Sequence, residues 1–187
     1  MADSRRDQLL GLAYGYVRDH GIADLSLRPL AAAIGSSPRV LLFLFGTKDG
    51  LLRALLARAR ADELAMLERL SPDDDLPAAA RTVWHWLADP PNRPLLRLWV
   101  EAYARSLVDA DGPWAGFAAA TVADWLEVLG RAQPKADRDT PAAVADRTAV
   151  LAILRGALLD LLATGDTART TAAVHAQLRL LTTAGSS

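Results

Sequence analysis

The stretch SSPRVLLFLFGTKDGLL, from Ser36 to Leu52, decides how the whole sequence is interpreted. Ser37 followed by Pro38 is typical of a helix N-terminus, because a serine hydroxyl caps the first turn and proline fits its first position. Six apolar residues run from Val40 to Phe45, and Gly46 then provides a stop. The stretch therefore predicts a short and strongly apolar helix.

The helical period divides these apolar residues between two faces. We expect four of them to form an inward face that belongs to the core: Val40, Leu41, Leu44 and Phe45. Leu42 and Phe43 then lie toward the other side, together with Arg39. This exposed apolar pair has three interpretations. It contacts a binding partner directly, it is a patch covered by another part of the protein, or it remains on a helix that has lost its original function.

Helical periodicity extends over nearly the whole chain, and no strand pattern or repeat interrupts it. Ser4, Ser26 and Thr47 stand at predicted helix starts, where their hydroxyls can cap. The predicted fold class is all-α, with about nine helices, at about residues 5–20, 27–34, 38–45, 48–70, 77–88, 94–108, 114–131, 141–164 and 167–183. The clearest break between them is SPDDDLP, at residues 71–77.

Composition narrows the class of protein. The 187 residues are 51% hydrophobic and 23% charged, as in ordinary globular domains. The absence of cysteine excludes disulfides and thiolate metal sites, which fits a reducing cytoplasm. Charged residues interrupt the N-terminal segment, so it lacks a signal-peptide core, and no window is apolar enough for a membrane span. We expect a cytoplasmic protein that has no membrane contact.

The charge is unevenly distributed along the chain. Residues 1–60 carry nine basic and five acidic residues, a net charge of +4, whereas the remainder carries twelve basic and seventeen acidic residues, a net charge of −5. A basic N-terminal part on an acidic body is the arrangement expected of a protein that meets a polyanion. Chance scatter of charge on a helical protein is the alternative.

The first three predicted helices have the layout of a helix-turn-helix unit, with a tight turn at Gly35 between the second and third. In such a unit the third helix enters the DNA major groove and the second braces it. Arg28 and Arg39 lie near helix starts, and Lys48 begins the fourth helix, where cations can hold phosphates. Short helix-turn-helix segments also occur as plain packing units.

The segment LSLRPLAAAIGSSPRVLLFLFGTKDGLLRALL, residues 25–56, resembles the DNA-binding segment of tetracycline-repressor-type (TetR family) regulators. The shared features are the leading apolar-Ser-apolar-Arg, AAAIG before the turn, and the F-x-x-K-x-x-L ending. DRTAVLAILRGALLDLLATGDTARTTAAVHAQLRLL, residues 146–181, resembles the last two helices of that family, which pair in the homodimer. The resemblance implies a DNA-binding domain at residues 1–47 and a ligand-binding and dimerisation domain at 48–187.

The resemblance also assigns roles to residues. It implies a DNA-binding set of Ser26, Arg28, Ser36, Ser37, Pro38, Arg39, Leu42, Phe43 and Lys48. Three positions depart from the family pattern, since Ser36 replaces an apolar residue, Val40 replaces a threonine and Leu42 replaces a tyrosine. The threonine and tyrosine hydroxyls commonly hold phosphates in the family, and Val40 and Leu42 cannot donate. Leu42 and Phe43 can instead touch thymine methyl groups.

Aromatic residues are concentrated in the middle of the chain, where the family has a ligand cavity. The expected pocket residues are Met66, Trp84, His85, Trp99, Tyr103, Trp114, Phe117 and Trp125. Such a pocket suits a planar or apolar small molecule. The alternative is that these side chains form the core of a helical bundle.

The last two predicted helices are apolar on more than one face. Gly156 and neighbouring alanines permit close helix approach, which favours a four-helix interface between two copies. The expected interface residues are Leu151, Leu154, Leu158, Leu162, Val174, Leu178 and Leu181. A monomer core is the alternative interpretation.

The sequence contains little that indicates an enzyme. The three histidines, His20, His85 and His175, lie far apart, and no zinc, nucleotide or nucleophile motif appears. The aspartates at 73–75 are typical of a solvated turn, and the charged residues at 97, 101 and 105 are typical of a solvated, salt-bridged helix face. We expect no enzyme activity, metal or cofactor.

These observations predict a ligand-responsive repressor that binds a palindromic double-stranded DNA operator as a homodimer. A small apolar or aromatic effector would release it. The alternative is the same fold without DNA binding, acting as a protein-interaction or small-molecule-binding protein.

Overall fold

Helices make up most of the residues that the computed structural model describes, which are 2–67, 75–109 and 111–184. In that part of the chain there are nine α-helices and no strand, which confirms the all-α class. They are α1 (Ala2–His20), α2 (Leu27–Ala33), α3 (Pro38–Phe45), α4 (Lys48–Leu67), α5 (Leu76–Ala88), α6 (Arg93–Val108), α7 (Phe117–Arg131), α8 (Pro141–Thr164) and α9 (Thr167–Ala184). A 3₁₀ turn at Pro90–Asn92 precedes α6.

Two helix starts differ from the prediction. α1 begins at Ala2, so Ser4 lies inside the helix and does not cap it. α7 begins at Phe117 instead of residue 114, because Gly116 adopts a left-handed φ of 74° and ends a turn there. The predicted extension of α4 to residue 70 and most of the SPDDDLP break lie outside the described residues.

The turn between α2 and α3 is built by local hydrogen bonds. Gly35 has a φ of +64°, which lets the Ser36 N–H donate to the Ala31 carbonyl at 2.8 Å. The Ser37 hydroxyl then accepts the Val40 N–H at 3.3 Å and caps α3. Ser26 stands at the N-cap of α2, but its hydroxyl makes no capping bond, contrary to the prediction.

The chain forms two compact units. The first comprises Met1–Glu63 and Pro94–Ala120, and the second comprises Leu64–Arg93 and Thr121–Ser187. These units differ from the domains predicted at residues 1–47 and 48–187. Because that division is made by function, DNA binding against ligand binding and dimerisation, it stays a prediction.

The core of the first unit includes one side of α3. Leu41 is 1% exposed and Phe45 is buried, with the Arg6 guanidinium 5.0 Å from the centre of the Phe45 ring. Val40 is 38% exposed, so its assignment to the core is wrong, and Leu44 is half-buried. The buried residues Leu41 and Phe45 are four positions apart and share one side of this short helix. Val40 precedes Leu41, so its side chain is rotated from that side by about 100°.

The second unit packs α5 against α8 and α9. Trp84 is buried and its indole N–H donates to the Thr171 hydroxyl at 3.0 Å. Arg169 binds both carboxylate oxygens of Asp160 at 2.7 and 2.6 Å, and this hydrogen bonding lowers the pKa of Asp160.

The predicted dimer residues lie largely inside this unit. Leu162 and Leu181 are half-buried. The other five are each at most 4% exposed within a single chain: Leu151, Leu154, Leu158, Val174 and Leu178. They are buried in the unit that packs α5 against α8 and α9. A helix stripe that is covered within its own chain offers little surface to a partner, and the role of these residues in a dimer stays a prediction.

No single helix in the described part of the chain is long and apolar enough to cross a membrane. α2 and α3 reach that length and composition only as a pair, and they are bent by 103° at the break between them. The same residues contain no group of three or more histidine, cysteine, aspartate or glutamate side chains that could hold a metal ion.

Adjacent leucines of α3 provide a test of this packing. Leu41→Ala should lower the free energy of unfolding by about 2–5 kcal/mol, because it leaves a cavity in the core. Leu42→Ala, at a side chain that is 41% exposed, should change it by less than about 1 kcal/mol. Urea denaturation followed by circular dichroism measures both. Equal costs would contradict the orientation of α3.

Candidate nucleic-acid interface

The outer face of α3 carries the residues that the sequence predicts to read DNA. Phe43 is 84% exposed, Leu42 is 41% exposed, and Arg39 is also exposed. Their outward orientation confirms the prediction made from the helical period. Since Arg39 and Phe43 are four residues apart, they share one side of the helix, and Leu42 lies beside them.

A groove beside α3 brings together cations from two other helices. Arg28, near the start of α2, and Lys48, the first residue of α4, both line it, and both are exposed. Ser26 and Pro38 also line the groove, which has a volume of about 820 Å³. Four of the nine predicted DNA-binding residues therefore meet in one place although they span more than twenty positions of sequence.

The local electrostatics of this groove are mainly positive. Asp24 is its one acidic lining residue in the described part of the chain, and the Arg105 guanidinium lies 4.0 Å from its carboxylate. Such an ion pair at the surface neutralises part of the acidic charge. The groove can attract an anion such as a phosphate.

Ser36 does not belong to this surface. Its hydroxyl oxygen is buried and has no hydrogen-bond partner among the described residues, and Ser36 does not line the groove, so its role in DNA binding stays a prediction. The turn at Gly35 directs the Ser36 backbone N–H to Ala31 and the side chain inward. Ser37 is half-buried, and its hydroxyl is already used as the cap of α3.

Glu101 of α6 holds the turn between α1 and α2. Its two carboxylate oxygens accept the N–H groups of Ile22 at 2.8 Å and Ala23 at 2.9 Å. A Cβ added to Gly21, which has a φ of +83°, would lie 3.2 Å from the same carboxylate. The predicted solvated salt-bridged face is therefore wrong at Glu101, which is half-buried and binds backbone. No local pattern in the sequence indicates this long-range contact.

A second acidic residue that sequence reasoning missed is Glu63 of α4. It is 5% exposed and accepts the indole N–H of Trp99 at 3.2 Å. The Trp99 ring is stacked on Tyr103 with 5.0 Å between centroids. The first unit thus contains a buried carboxylate beside two stacked aromatic rings of α6. Trp114 and Phe117 are buried in the same unit.

The other predicted pocket residues belong to the second unit. Trp84 and Trp125 are buried, whereas His85 is exposed and its ring lies 6.0 Å from that of His175. The side chain of Met66 lies outside the described residues. A single pocket formed by all eight residues stays a prediction.

No protein-family model matches this chain, and no curated protein matches it by sequence. Solved structures do match. A protein from Rhodococcus sp. assigned to the TetR family of transcriptional regulators is 19% identical, with a TM-score of 0.76 over 95% of this chain and 98% of its own. A TetR transcription regulator from Haloarcula marismortui is 19% identical, with a TM-score of 0.67 over 94% and 96%. The multidrug binding protein EbrR, complexed with imidazole, is 25% identical, with a TM-score of 0.68 over 94% and 89%.

Replacement of Glu101 tests its role at the turn. Glu101→Ala should lower the free energy of unfolding by about 2 kcal/mol or more, because two hydrogen bonds to a carboxylate are lost and their donors are left in a half-buried site. Glu101→Gln, which keeps one acceptor, should fall between this variant and the wild type. Urea denaturation measures the cost, and amide hydrogen exchange at Ile22 and Ala23 should become faster.

Glu127→Ala is the matched control, because Glu127 is exposed and, among the described residues, its ion-pair partner is Arg131 one turn away on α7. It should change the free energy of unfolding by about 0.5 kcal/mol or less. A similar cost for Glu101→Ala and Glu127→Ala, with unchanged exchange at Ile22, would refute the role of Glu101.

Proposed function

We propose that this chain, which has the fold of the TetR-family transcriptional regulators, is itself a DNA-binding transcriptional repressor that acts as a homodimer in the cytoplasm. A small apolar or aromatic ligand releases it from a palindromic operator, and it catalyses no reaction. The observation that carries the proposal is the groove of Arg28 and Lys48 beside the exposed face of α3. Cations placed next to an exposed helix are what a phosphate backbone beside a major groove requires.

In this proposal the two kinds of contact have separate tasks. Arg28 and Lys48 hold phosphates and set the position of the protein on the duplex, which requires charge but no sequence. Arg39 and Phe43 project from α3 toward the base edges, where sequence is read. The net charge of +4 over residues 1–60 supports this assignment, because the acidic remainder of the chain would repel DNA.

The exposed apolar pair on α3 would recognise bases through thymine methyl groups instead of through hydrogen bonds. Leu42 and Phe43 cannot bind phosphates, but the C5 methyl group of thymine is an apolar feature of the major groove. Phe43, at 84% exposure, has apolar surface to bury against it. We therefore expect thymine to be enriched in the operator at the positions that α3 meets.

The proposed homodimer uses a different face of α8 from the buried leucines. The outward stripe consists of exposed small or apolar residues at alternating spacings of three and four: Ala149, Ala152, Gly156, Leu159 and Ala163. Leu159 is 53% exposed, and Leu180 on α9 is 61% exposed. Small residues allow two helices to approach closely, and the two leucines supply apolar area.

Ligand response is proposed to act through α6. Trp99 and Tyr103, which stack beside the buried Glu63, and Glu101, which holds the turn before α2, all lie on this helix. A ligand that displaced α6 would disturb the turn and shift the population toward a form with lower DNA affinity. The solved structure of EbrR with proflavin, 24% identical and with a TM-score of 0.67, supports a planar ligand by analogy of fold.

A second candidate function is a protein-interaction role on the same fold. It is favoured by the exposure of Leu42 and Phe43, since an apolar patch on an exposed helix can dock a protein partner. The DNA-binding experiment below separates the two candidates.

DNA binding should depend on charge and on α3 in different ways. Lys48→Ala should weaken binding to all sequences similarly and reduce the salt slope by about one, because one phosphate contact is lost. Arg39→Ala should cost about 1–3 kcal/mol at one base position and relax the preference there. Fluorescence anisotropy with DNA selected from genomic fragments, at several salt concentrations, measures both.

Arg131→Ala, at a cation that pairs with Glu127, is the control and should leave DNA binding unchanged. The opposite pattern for Lys48 and Arg39 would refute the assigned roles. Absence of any sequence preference at low salt would reject the repressor proposal and support the interaction role.

The dimer proposal has a matched pair of glycine variants. A Cβ at Gly156 would have no atom within 4 Å inside the chain, so Gly156→Leu should fold normally but obstruct the close approach of two α8 helices. Gly11→Leu, at an equally open position of α1, is the control for the gain in helix propensity. Sedimentation should give the monomer mass for Gly156→Leu and the dimer mass for Gly11→Leu. Equal masses would exclude this face as the interface.

A further inference from the structure

A second groove of the first unit lies between α4 and the turn that precedes α7. Its volume is about 260 Å³. Its lining residues come from α4, among them Arg53, Leu56 and Arg60, and from the segment 113–120, among them Pro113, Phe117 and Ala120. It shares no lining residue with the groove of Arg28 and Lys48, and Phe117 is the one residue it shares with the predicted aromatic pocket.

The two charged residues of this groove are both arginines. Arg53 and Arg60 are seven residues apart on α4, which places them two turns apart on the same side of the helix. None of the lining residues in the described part of the chain is acidic. Arg53 is exposed and has no ion-pair partner in that part of the chain, whereas Arg60 is half-buried and held by an interaction within the chain.

The remaining surface of the groove is apolar. Leu56 and Phe117 are 5% and 7% exposed, so they form a fixed floor, and Pro113 and Ala120 are half-buried beside them. A site that combines an apolar floor with one or two cations favours an amphipathic anion. The volume lies just below the usual range of about 300–1,000 Å³ for drug-sized ligands, so the ligand must be small.

The first turn of α7 does not supply the anion contact. The Phe117 N–H donates to the Trp114 carbonyl at 3.1 Å, and the Ala118 N–H donates to the Ser106 hydroxyl at 3.0 Å. The Ala120 N–H donates to the Gly116 carbonyl at 2.9 Å. Because these donors are occupied, the guanidinium groups of Arg53 and Arg60 are the cationic donors in this groove that an anion could contact.

We propose that this groove binds a small organic acid, with its carboxylate on Arg53 and Arg60 and its apolar body against Leu56 and Phe117. A guanidinium binds a carboxylate through two parallel hydrogen bonds, which fixes the orientation of the acid. The proposal goes beyond the apolar or aromatic effector proposed above, and it does not depend on DNA binding.

The probe for this proposal is benzoate, with benzamide as a neutral molecule of nearly the same shape. Titration of each into the full-length chain without DNA, followed by ¹H–¹⁵N correlation spectra, measures affinity and location together. Benzoate should shift the amide signals of Ala115, Gly116 and Phe117 in a saturable way, and benzamide should not.

Variants of α4 test which group binds the carboxylate. Arg53→Gln should weaken benzoate binding about tenfold or more, because a charge-assisted bidentate contact is lost, and Arg53→Lys should retain part of the affinity. Arg60→Gln should also weaken binding, with thermal melting as the check that it folds. Arg58→Gln is the matched control, because Arg58 lies on the same helix, pairs with Asp62 and does not line the groove.

Three results would overturn the proposal. These are equal binding of benzoate and benzamide, no saturable shift at Ala115–Phe117, or unchanged benzoate affinity in Arg53→Gln. Because the measurement uses no DNA, failure here would leave the repressor proposal intact, and failure of sequence-specific DNA binding would leave this one intact.

Discussion

The carboxylate of Glu101 is the constraint on which the geometry of the N-terminal helices depends. The chain leaves α1 through Gly21 in a left-handed conformation, and the two N–H groups that follow would otherwise lack partners in a half-buried site. One side chain satisfies both donors and fixes the direction in which α2 begins. Since α2 braces α3, the position of the exposed helix depends on a residue of α6 that lies far from it in sequence.

In the proposed function, the contact of Glu101 with the turn before α2 links DNA recognition to the response to a ligand. Loss of these two hydrogen bonds would leave the N–H groups of Ile22 and Ala23 without their carboxylate partner. Trp99 and Tyr103 belong to the same helix as Glu101, and the buried Glu63 accepts the Trp99 indole N–H, so the aromatic cluster and the contact at the turn share α6. In the proposed function, a ligand that displaces α6 would act on the turn before α2 through this contact.

Sequence alone predicted the parts of the structure that depend on neighbouring residues. Ser37, Pro38 and Gly46 define α3 because capping and chain reversal are local, and the outward orientation of Leu42 and Phe43 follows from the helical period. The contacts of Glu101 with residues 78 and 79 positions away could not be predicted, since nothing local distinguishes it from a solvated glutamate. The period likewise could not tell the leucines of α8 that pack within the chain from the small residues that stay exposed, because both stripes are apolar.

The exposure of Phe43 has a consequence for the protein when it is not bound to any partner. The exposed side chains of Phe43 and Leu42 form an apolar patch on α3, and two copies of the chain could associate through it. Arg39 lies beside this patch on α3, and Arg28 and Lys48 line the adjacent groove. Two copies that approach each other through the patch therefore bring like charges together. The cations that we propose to hold phosphates would therefore also oppose association of two copies through this apolar patch.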